Sequence, residues 1–317
     1  MNFFVIIMSK IKVVSISHQI DPDGIGAQAI IFRYFRELKI EPIGFLADYY
    51  NFEEVLAKAI TEKPNVLIIS DIGINSRIID NIIDSLRNLE ARKIWIDHHK
   101  APDKYKDLLL EVMDEFIHDT KVSASILVQK RFMPNDEISK KIAEIGHNGD
   151  YDIPDRLSNI FYTLIDYHRM SMPDLIRIRD MFIEGKFEDE EVFKEYLEAY
   201  KMFEAERDRI RNNLKILTLS GKTIAIAESA IMPRGKITKY LSEICKEDIL
   251  LAIDTTNYRI GLRSEKCDVA AIAAEFGGGG HKHRSGFTYK NAITNRNELS
   301  SDFVAALEKA IEVISEF

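Results

Sequence analysis

Short apolar runs alternate with amphipathic segments through the N-terminal part of the chain. The runs are rich in β-branched residues, as in IKVVSIS and NVLIIS, which is typical of buried strands. Strands are predicted at residues 11–17, 42–46, 65–70 and 93–96. Helices are predicted at residues 27–38, at 52–60, and in a segment that ends at Leu89 with Asn75 or Ser76 as its cap. The alternation predicts an α/β fold with an open parallel sheet and helices on both faces.

The middle of the chain has a helical pattern, and the C-terminal part alternates again. Helices are predicted at residues 123–145 and along the charged segment 172–216, where apolar residues repeat on one side. Later strands are predicted at 222–227, 249–253 and 258–263, and later helices at 237–245, 269–276 and 301–317. We therefore expect an N-terminal domain over residues 9–170, a helical connector over 171–216 and a smaller C-terminal α/β domain over 217–317.

Composition and charge limit the classes of partner. The chain has 317 residues, a charged content of 30% and a formal net charge of -8. An acidic chain binds long duplex nucleic acid poorly, although a local group of arginines can hold a short anionic substrate. The two cysteines, Cys245 and Cys267, favour a reducing cytoplasm over a disulfide framework. No apolar run approaches the roughly 18 residues of a transmembrane helix, so no membrane partner is expected.

Acidic and histidine side chains recur at the ends of the predicted strands and in one later polar loop. They are His18, Asp21, Asp23, Asp71, Asp97, His98, His99 and, in the loop, Asp150. Taken singly, each has an ordinary alternative: a turn, a helix cap or a surface pair. The carboxyl ends of parallel strands lie along one edge of a sheet, so these side chains can converge there. Their recurrence at matching positions favours one shared site.

Crowded carboxylates require positive charge nearby. Several carboxylates held together raise one another's pKa at a cost of several kcal/mol, and divalent cations remove that conflict. A mixture of carboxylates and imidazoles suits Mn2+, with Zn2+, Fe2+ or Co2+ as alternatives and Mg2+ as an ion that prefers oxygen ligands. The ligands exceed what one ion needs. The sequence therefore predicts two ions about 3.5–4 Å apart that share a carboxylate, an arrangement suited to phosphate-ester hydrolysis.

The order of these motifs resembles the DHH phosphoesterase superfamily, whose name comes from the triplet at residues 97–99. HQIDPDGIGA is similar to the first motif of that superfamily, Asp71 to the second, and the segment with Asp150 to the fourth. GGGGH, followed by Ser285-Gly286, is similar to the signature of the DHH-associated C-terminal domain found in nanoRNases and RecJ-related proteins.

The resemblance implies a role for each matched residue. One metal ion would be held by His18, Asp21 and Asp71. The other would be held by Asp23, Asp71, His98 and Asp150. Asp97 would orient a histidine and His99 would face the scissile phosphate, so the expected catalytic residues are Asp71, Asp97, His98 and His99. In many relatives the first aspartate stands one position further from the histidine than Asp21 does, and Asp152 is an alternative to Asp150.

The resemblance also implies that the C-terminal domain binds the substrate. The expected contacts are Arg263, Ser264, Gly278, Gly279, Gly280, His281 and Arg284. Glycine lets the backbone approach a phosphate closely, while the histidine donates to it. By itself, the glycine run is typical of a helix end followed by a loop. Arg284 replaces a small residue of many relatives, so it would either add a phosphate contact or narrow the choice of substrate.

Together these features predict a hydrolase that cleaves short single-stranded oligonucleotides (nanoRNA) to mononucleotides with two divalent ions and an activated water. The same parts would serve a phosphatase acting on 3'-phosphoadenosine 5'-phosphate, or a phosphodiesterase for linear or cyclic dinucleotides. The alternative from another class is a non-catalytic scaffold. Such relatives lose metal ligands, whereas here every expected acidic position is occupied. A homodimer is compatible with the sequence.

Overall fold

The structure is a computed structural model that describes residues 11–74, 78–294 and 298–315. The chain divides into two compact units, residues 1–197 and 198–317, so the division falls inside the predicted helical connector. The predicted caps Asn75 and Ser76 lie outside the described residues. No helix in the described part of the chain has the length and apolar character needed to cross a membrane.

A five-stranded sheet forms the centre of the N-terminal unit. Its strands are β1 (Val13–His18), β2 (Ile43–Ala47), β3 (Val66–Ser70), β4 (Arg92–Asp97) and β5 (Glu115–His118). Their spatial order is β2-β1-β3-β4-β5, and every neighbouring pair is parallel. Ser17 pairs with Ser70, and Ser70 with Ile96, so the carboxyl ends of β1, β3 and β4 lie side by side. The predicted parallel sheet is confirmed.

Helices cover both faces of this sheet, as predicted. They are α1 (Pro22–Glu37), α2 (Phe52–Thr61), α3 (Ile79–Arg87), α4 (Asp103–Val112), α5 (Ala124–Phe132), α6 (Glu137–Asp150), α7 (Arg156–Tyr167) and α8 (Met172–Glu184). Strand side chains such as Val13 and Ile94 pack with α1 and α5 to α8. Their neighbours along the strands, Val14 and Trp95, point the other way and pack with α2, α3 and α4. The sheet therefore separates two apolar cores.

Two helix boundaries differ from the prediction, and both move a site residue onto a helix. Helix α1 begins at Pro22 rather than residue 27, because Asp21 accepts a hydrogen bond from the amide of Gly24 and proline suits the first turn. The first turn of this helix is polar, so the apolar periodicity predicted a later start. The loop predicted around Asp150 is wrong, because α6 continues to that residue.

Neither α4 nor β5 was predicted from the sequence. Helix α4 buries only Leu109 and Val112 among its ten residues. Tyr105 and Leu108 are half-buried, and the rest of the helix is charged or exposed. Every residue of β5 is partly exposed, since this strand lies at the edge of the sheet. Both elements lack the dense apolar pattern by which buried elements are predicted.

A mixed six-stranded sheet forms the C-terminal unit. The strands are β6 (Lys215–Leu219), β7 (Lys222–Ser229), β8 (Ile249–Asp254), β9 (Arg259–Arg263), β10 (Gly279–His281) and β11 (Arg284–Thr288). The helices are α9 (Glu190–Asn212), which contains the division between the units, α10 (Arg234–Ile244), α11 (Val269–Glu275) and α12 (Ser301–Ser315). The order is β10-β11-β9-β8-β7-β6, with β7 and β8 parallel. One face packs with α11 and α12.

Two further predictions need correction. The segment 172–216 is not one helical stretch. Helix α8 stops at Gly185, whose φ of 71° is left-handed and terminates the helix, and Lys215 already belongs to β6. The glycine run is not only a loop after a helix, because Gly279–His281 pairs antiparallel with β11. Glycine carries little strand propensity, so that pairing was not visible in the sequence.

Candidate metal centre

Three strand ends and two helix ends bring the predicted acidic and histidine residues together. Strand β1 ends at His18, β4 ends at Asp97, and Asp71 follows β3 directly. Helix α1 begins immediately after Asp21, and α6 ends at Asp150. The parallel strands are the reason for the convergence, because their carboxyl ends share one edge of the sheet. Side chains far apart in sequence therefore meet in one place.

The first group of metal-type side chains consists of His18, Asp21 and Asp71. His18 Nδ1 lies 3.2 Å from Asp21 Oδ2 and 3.5 Å from Asp71 Oδ2. The amide of Gly24 donates to Asp21 Oδ1 at 3.0 Å. That hydrogen bond fixes the carboxylate, so Oδ2 is the oxygen that faces the histidine. One imidazole and two carboxylates thus share a small buried volume.

The second group consists of Asp23, His98 and Asp150. His98 Nε2 lies 3.7 Å from a carboxylate oxygen of Asp23 and 3.7 Å from one of Asp150. The same nitrogen lies 3.2 Å from Asp71 Oδ1. His98 is therefore central to this group and adjoins the first one. Asp152, the alternative to Asp150, belongs to none of the metal-type groups among the described residues.

Asp23 is anchored by the start of helix α5. The amide of Ala124 donates to Asp23 Oδ2 and the amide of Ser125 to Oδ1, each at 2.9 Å, and the Ser125 hydroxyl also donates to Oδ1. The amino end of a helix favours negative charge, so this placement stabilises a carboxylate that is only 1% exposed. The side chain has one orientation, with its remaining lone pairs directed into the site.

Asp71 belongs to the first group and also, with His98 and His99, to a third group that adjoins the second. Its Oδ2 is the oxygen near His18 and its Oδ1 is the oxygen near His98. Its φ of 56° lies in the left-handed region, which non-glycine residues seldom adopt and aspartate tolerates better than most. The amide of Asp71 donates to Ile96 O at 3.0 Å, which continues the β3–β4 ladder up to the turn. The turn then directs the carboxylate between the two histidines.

The remaining residues of the triplet form a hydrogen-bond chain. Asp97 Oδ1 lies 2.8 Å from His99 Nδ1, and the hydroxyl of Tyr49 lies 2.8 Å from His99 Nε2. His118 Nε2 donates to His99 O at 2.8 Å. Asp97 thus contacts the histidine that was expected to face the substrate. Tyr49 has no place in the motifs, and the one signal for it was its position just beyond the predicted strand at 42–46.

Burial and mutual charge strongly perturb the carboxylates. Burial raises the pKa of Asp23 to about 8, and the charges of Asp71 and Asp21 add to the shift. Burial also raises the pKa of Asp150 to about 6. For Asp71 burial acts in the same direction, but the close imidazoles of His18 and His98 outweigh it and lower the pKa. Asp23, whose contact with the His98 imidazole is longer at 3.7 Å, is therefore the carboxylate that most resists ionisation.

The histidines respond in the opposite sense. Burial alone would lower the pKa of His98, but its contact with Asp71 outweighs burial and raises the pKa to about 9. Burial likewise opposes protonation of His18, whereas Asp21 and Asp71 raise its pKa well above the usual value. The site is negative enough to pull protons onto imidazoles that are almost fully buried. A bound cation would meet the same electrostatic demand.

The donor set fits divalent metal ions. Three buried atoms of the site make no hydrogen bond of acceptable geometry within the described residues, although they lie close together. They are both ring nitrogens of His18 and Oδ2 of Asp71. Buried polar atoms without partners are costly, and metal coordination would satisfy them. Carboxylate oxygens and imidazole nitrogens are the ligands that Mn2+ and its neighbours accept. The six predicted ligands are His18, Asp21, Asp23, Asp71, His98 and Asp150, and all of them fall in the two adjoining groups.

The predicted substrate contacts of the C-terminal unit gather on the β9–β11–β10 edge of its sheet. Arg263 pairs with Arg284, and Arg284 pairs with His281, so these three form one cross-strand basic row. Ser264 is buried instead. Its hydroxyl donates to Asp248 O and accepts from two amides, which is a structural role. Gly278, Gly279 and Gly280 lie in or beside β10.

Arg234 lies across the glycines of this edge, and no sequence motif predicted it. A Cβ on Gly286 would lie 1.9 Å from Arg234 Nη1 and 2.6 Å from Ile260 O, and one on Gly261 would lie 3.1 Å from Arg234 Cβ. Nη1 also donates to Ile260 O at 3.2 Å. Gly261 and Gly286 are cross-strand partners. The end of the arginine side chain can move, but the backbone oxygen of Ile260 cannot, so position 286 requires glycine.

Fold and site together define a class of α/β protein that presents two adjoining groups of metal-type ligands at the edge of a parallel sheet. Residues 12–149 match the DHH family, N-terminal domain. The chain is similar to the DHH family over this part, which is less than half of its length. No curated protein matches its sequence.

Solved structures share the fold at low sequence identity. An exopolyphosphatase-related protein from Bacteroides fragilis is 18% identical with a TM-score of 0.54, over 98% of this chain and 94% of that chain. RecJ from Thermus thermophilus in complex with Mn2+ is 13% identical with a TM-score of 0.60, over 96% and 52%. CDC45 from Entamoeba histolytica is 10% identical with a TM-score of 0.51, over 96% of both chains. At such identities the similarity concerns the fold.

Proposed function

We propose that the chain is a two-metal phosphodiesterase that hydrolyses short oligonucleotides (nanoRNA) to mononucleotides. The observation that carries the proposal is the shared position of Asp71. One oxygen of this residue faces His18 and the other faces His98, each with its own group of carboxylates. A carboxylate between two ligand groups is the arrangement that two-metal phosphate-ester hydrolysis requires.

Two divalent ions, Mn2+ in our proposal, would when bound lower the pKa of a water and stabilise negative charge at the phosphorus. His18, Asp21 and Asp71 would hold one ion, and Asp71 would hold the other with Asp23, His98 and Asp150. The solved structures of RecJ with Mn2+ and with Mg2+ support divalent ions in a relative of this fold. Imidazole ligands in both groups favour Mn2+ over Mg2+.

The chain's own contribution is to hold these ligands and the substrate in place. Backbone amides already orient Asp21 and Asp23, so little reorganisation accompanies metal binding. His99 would contact the scissile phosphate, with its ring oriented by Asp97. In the C-terminal unit, the basic row of Arg263, Arg284 and His281 would bind a phosphate of the substrate.

A short substrate agrees with the distribution of charge. The whole chain carries a formal charge of -8, which disfavours long nucleic acid, whereas the basic row is local. The same parts would also serve a phosphatase for 3'-phosphoadenosine 5'-phosphate or a phosphodiesterase for dinucleotides, including cyclic ones. A scaffold of this fold is the alternative of another class. Intact ligand groups around Asp71 favour an enzyme over that alternative.

A substrate panel with Mn2+ tests the proposal. Labelled dinucleotides, pentanucleotides, 3'-phosphoadenosine 5'-phosphate and cyclic dinucleotides are incubated with the full chain, and the products are resolved. We expect mononucleotides from the di- and pentanucleotides, and loss of at least about 100-fold in rate for Asp71→Ala. Asp152→Ala is the matched control, since this aspartate is outside the metal-type groups of the described residues.

Each outcome has a defined meaning. Cleavage of cyclic dinucleotides or of 3'-phosphoadenosine 5'-phosphate alone would replace the nanoRNA assignment by one of its alternatives. Full activity of Asp71→Ala would refute the two-metal site. Elemental analysis separates enzyme from scaffold independently of turnover. A protein purified with Mn2+ that retains no divalent ion, and whose thermal stability does not respond to one, would support the scaffold.

A further inference from the structure

His99 is held at both of its ring nitrogens. Nδ1 lies 2.8 Å from Asp97 Oδ1, and Nε2 lies 2.8 Å from the hydroxyl of Tyr49. A carboxylate only accepts, so Nδ1 carries the proton in the bond to Asp97. The Tyr49 hydroxyl occupies the other nitrogen, so both ring nitrogens have a partner.

The position of Tyr49 is itself fixed by two neighbours. Its ring stands 5.1 Å from the ring of His18 and, edge-on, 5.8 Å from the ring of His99. A Cβ on Gly73 would lie 2.9 Å from Cβ and Cγ of His99, so glycine is needed for the close packing around that histidine. Tyr49 thereby contacts two histidines that belong to metal-type groups.

The bonds of His99 determine the direction of the chain of donors. Because Nδ1 carries the proton of the neutral ring, Nε2 accepts and the Tyr49 hydroxyl donates to it. His99 then donates from Nδ1 to Asp97. One tautomer and one ring orientation result, and neither depends on a metal ion. A histidine held at one nitrogen only would keep a rotational freedom about its χ2 torsion.

We propose that Tyr49 is a positioning residue that fixes the ring of His99 from the side opposite Asp97. The inference rests on the proposed function for the activity that His99 serves. Loss of the hydroxyl removes the orientation of His99 without removing a predicted metal ligand. The expected signature is a lower kcat without a higher KM, which general damage to the fold does not produce.

Tyr49→Phe tests this, because it keeps the ring beside His18 and removes only the hydroxyl. A neutral hydrogen bond contributes about 1 kcal/mol, so we expect kcat to fall about 3–10-fold with KM equal or lower. Tyr50→Phe is the matched control, an adjacent tyrosine that is 68% exposed. In a His99→Ala background, Tyr49→Phe should have no further effect, because the residue acts through that histidine.

A spectroscopic measurement keeps the test independent of turnover. In the metal-free or Mg2+-loaded full chain, nitrogen NMR should show His99 protonated at Nδ1, and Tyr49→Phe should shift the Nε2 resonance while Nδ1 changes little. Equal kcat and an unmoved Nε2 resonance would overturn the proposal, as would a wild-type ring protonated only at Nε2. If no substrate in the panel is cleaved, the proposed function fails while the resonances still decide the role of Tyr49. Should Tyr49→Phe fold poorly, the wild-type tautomer alone remains decisive.

Discussion

Gly146 is the position at which one added methyl group should disturb the metal site without removing a ligand. It lies inside α6, and a Cβ there would lie 2.6 Å from the Ser125 hydroxyl, 2.9 Å from Asp23 Cα and 3.0 Å from Asp23 Oδ1. None of these neighbours is a flexible chain end. Ser125 is buried and bonded to Asp23, and Asp23 is fixed by the amides of α5. In Gly146→Ala, the strain must therefore displace Asp23 or its anchor.

The magnitude follows from two opposing terms. Overpacking of a buried site costs about 1–3 kcal/mol, while replacing glycine by alanine inside a helix returns about 1 kcal/mol. Gly149→Ala is the matched control in the same helix, because the nearest atom to its Cβ would be 3.4 Å away, an ordinary contact. We expect Gly149→Ala to be neutral or slightly stabilising. Gly146→Ala should be about 1–3 kcal/mol less stable than this control.

Calorimetry on the two variants separates folding from metal binding. Unfolding of the metal-free chains gives the stability difference, for which about 2–4 °C in Tm corresponds to 1 kcal/mol in a unit of this size. Titration with Mn2+ should show affinity lowered about tenfold or more in Gly146→Ala, and retained in Gly149→Ala. Equal Tm values and equal affinities in the two variants would refute the packing of α6 against Asp23 described above.

Three further expectations concern other parts of the molecule. His98→Ala should lower metal content measured by elemental analysis, because this imidazole is central to a ligand group, whereas His99→Ala should mainly lower turnover with the metal still bound. Burial opposes the ionisation of Asp136. Hydrogen bonds from Ser139 and the positive charge of Arg33 outweigh burial, so the pKa of Asp136 is lowered. The ionised Asp136 side chain therefore stabilises the fold above its unfolded pKa of about 3.9, and this stabilisation is lost as the pH falls through the lower folded pKa. In Asp136→Asn, Tm should consequently fall less steeply with decreasing pH in the acidic range. Gly286→Ala should destabilise the chain by about 1–3 kcal/mol with metal content unchanged, because its Cβ would lie 2.6 Å from the backbone oxygen of Ile260. Gly235→Ala, with nothing within 4 Å of its Cβ, should not.

The sequence was sufficient for four of the five strands of the parallel sheet and for the convergence of the acidic residues, for one physical reason. Parallel strands bury both faces, so their apolar runs are dense and easily recognised, and their carboxyl ends must share an edge. Asp71 and Asp97 could be placed together on that basis alone. The start of α1 was missed because a capping aspartate and a proline precede the apolar repeat of this helix. Asp150 was placed on a loop because its helix ends in polar residues.

The sequence could not predict contacts made by side chains that belong to no sequence motif. Tyr49 reaches His99 from the end of β2, and Arg234 reaches Gly286 from the start of α10. Both contacts depend on the packing of two elements distant in sequence, and neither residue type is unusual where it occurs. Glycine was the one indirect signal. Gly286 is required by the close backbone oxygen of Ile260, but a single sequence does not show what a glycine makes room for.

Three carboxylates of the metal centre are oriented chiefly by backbone groups. This explains how short sequence motifs can build the centre. Asp21 is fixed by the amide of Gly24 within the same turn, and Asp23 by the first two amides of α5. Asp71 is directed by its own left-handed backbone. Only a substitution by proline removes a backbone N–H, and the amino end of a helix offsets a buried negative charge. The orientation of these three carboxylates is then set by three turns of the chain, whereas His98 depends on the neighbouring side chains of Asp23, Asp71 and Asp150.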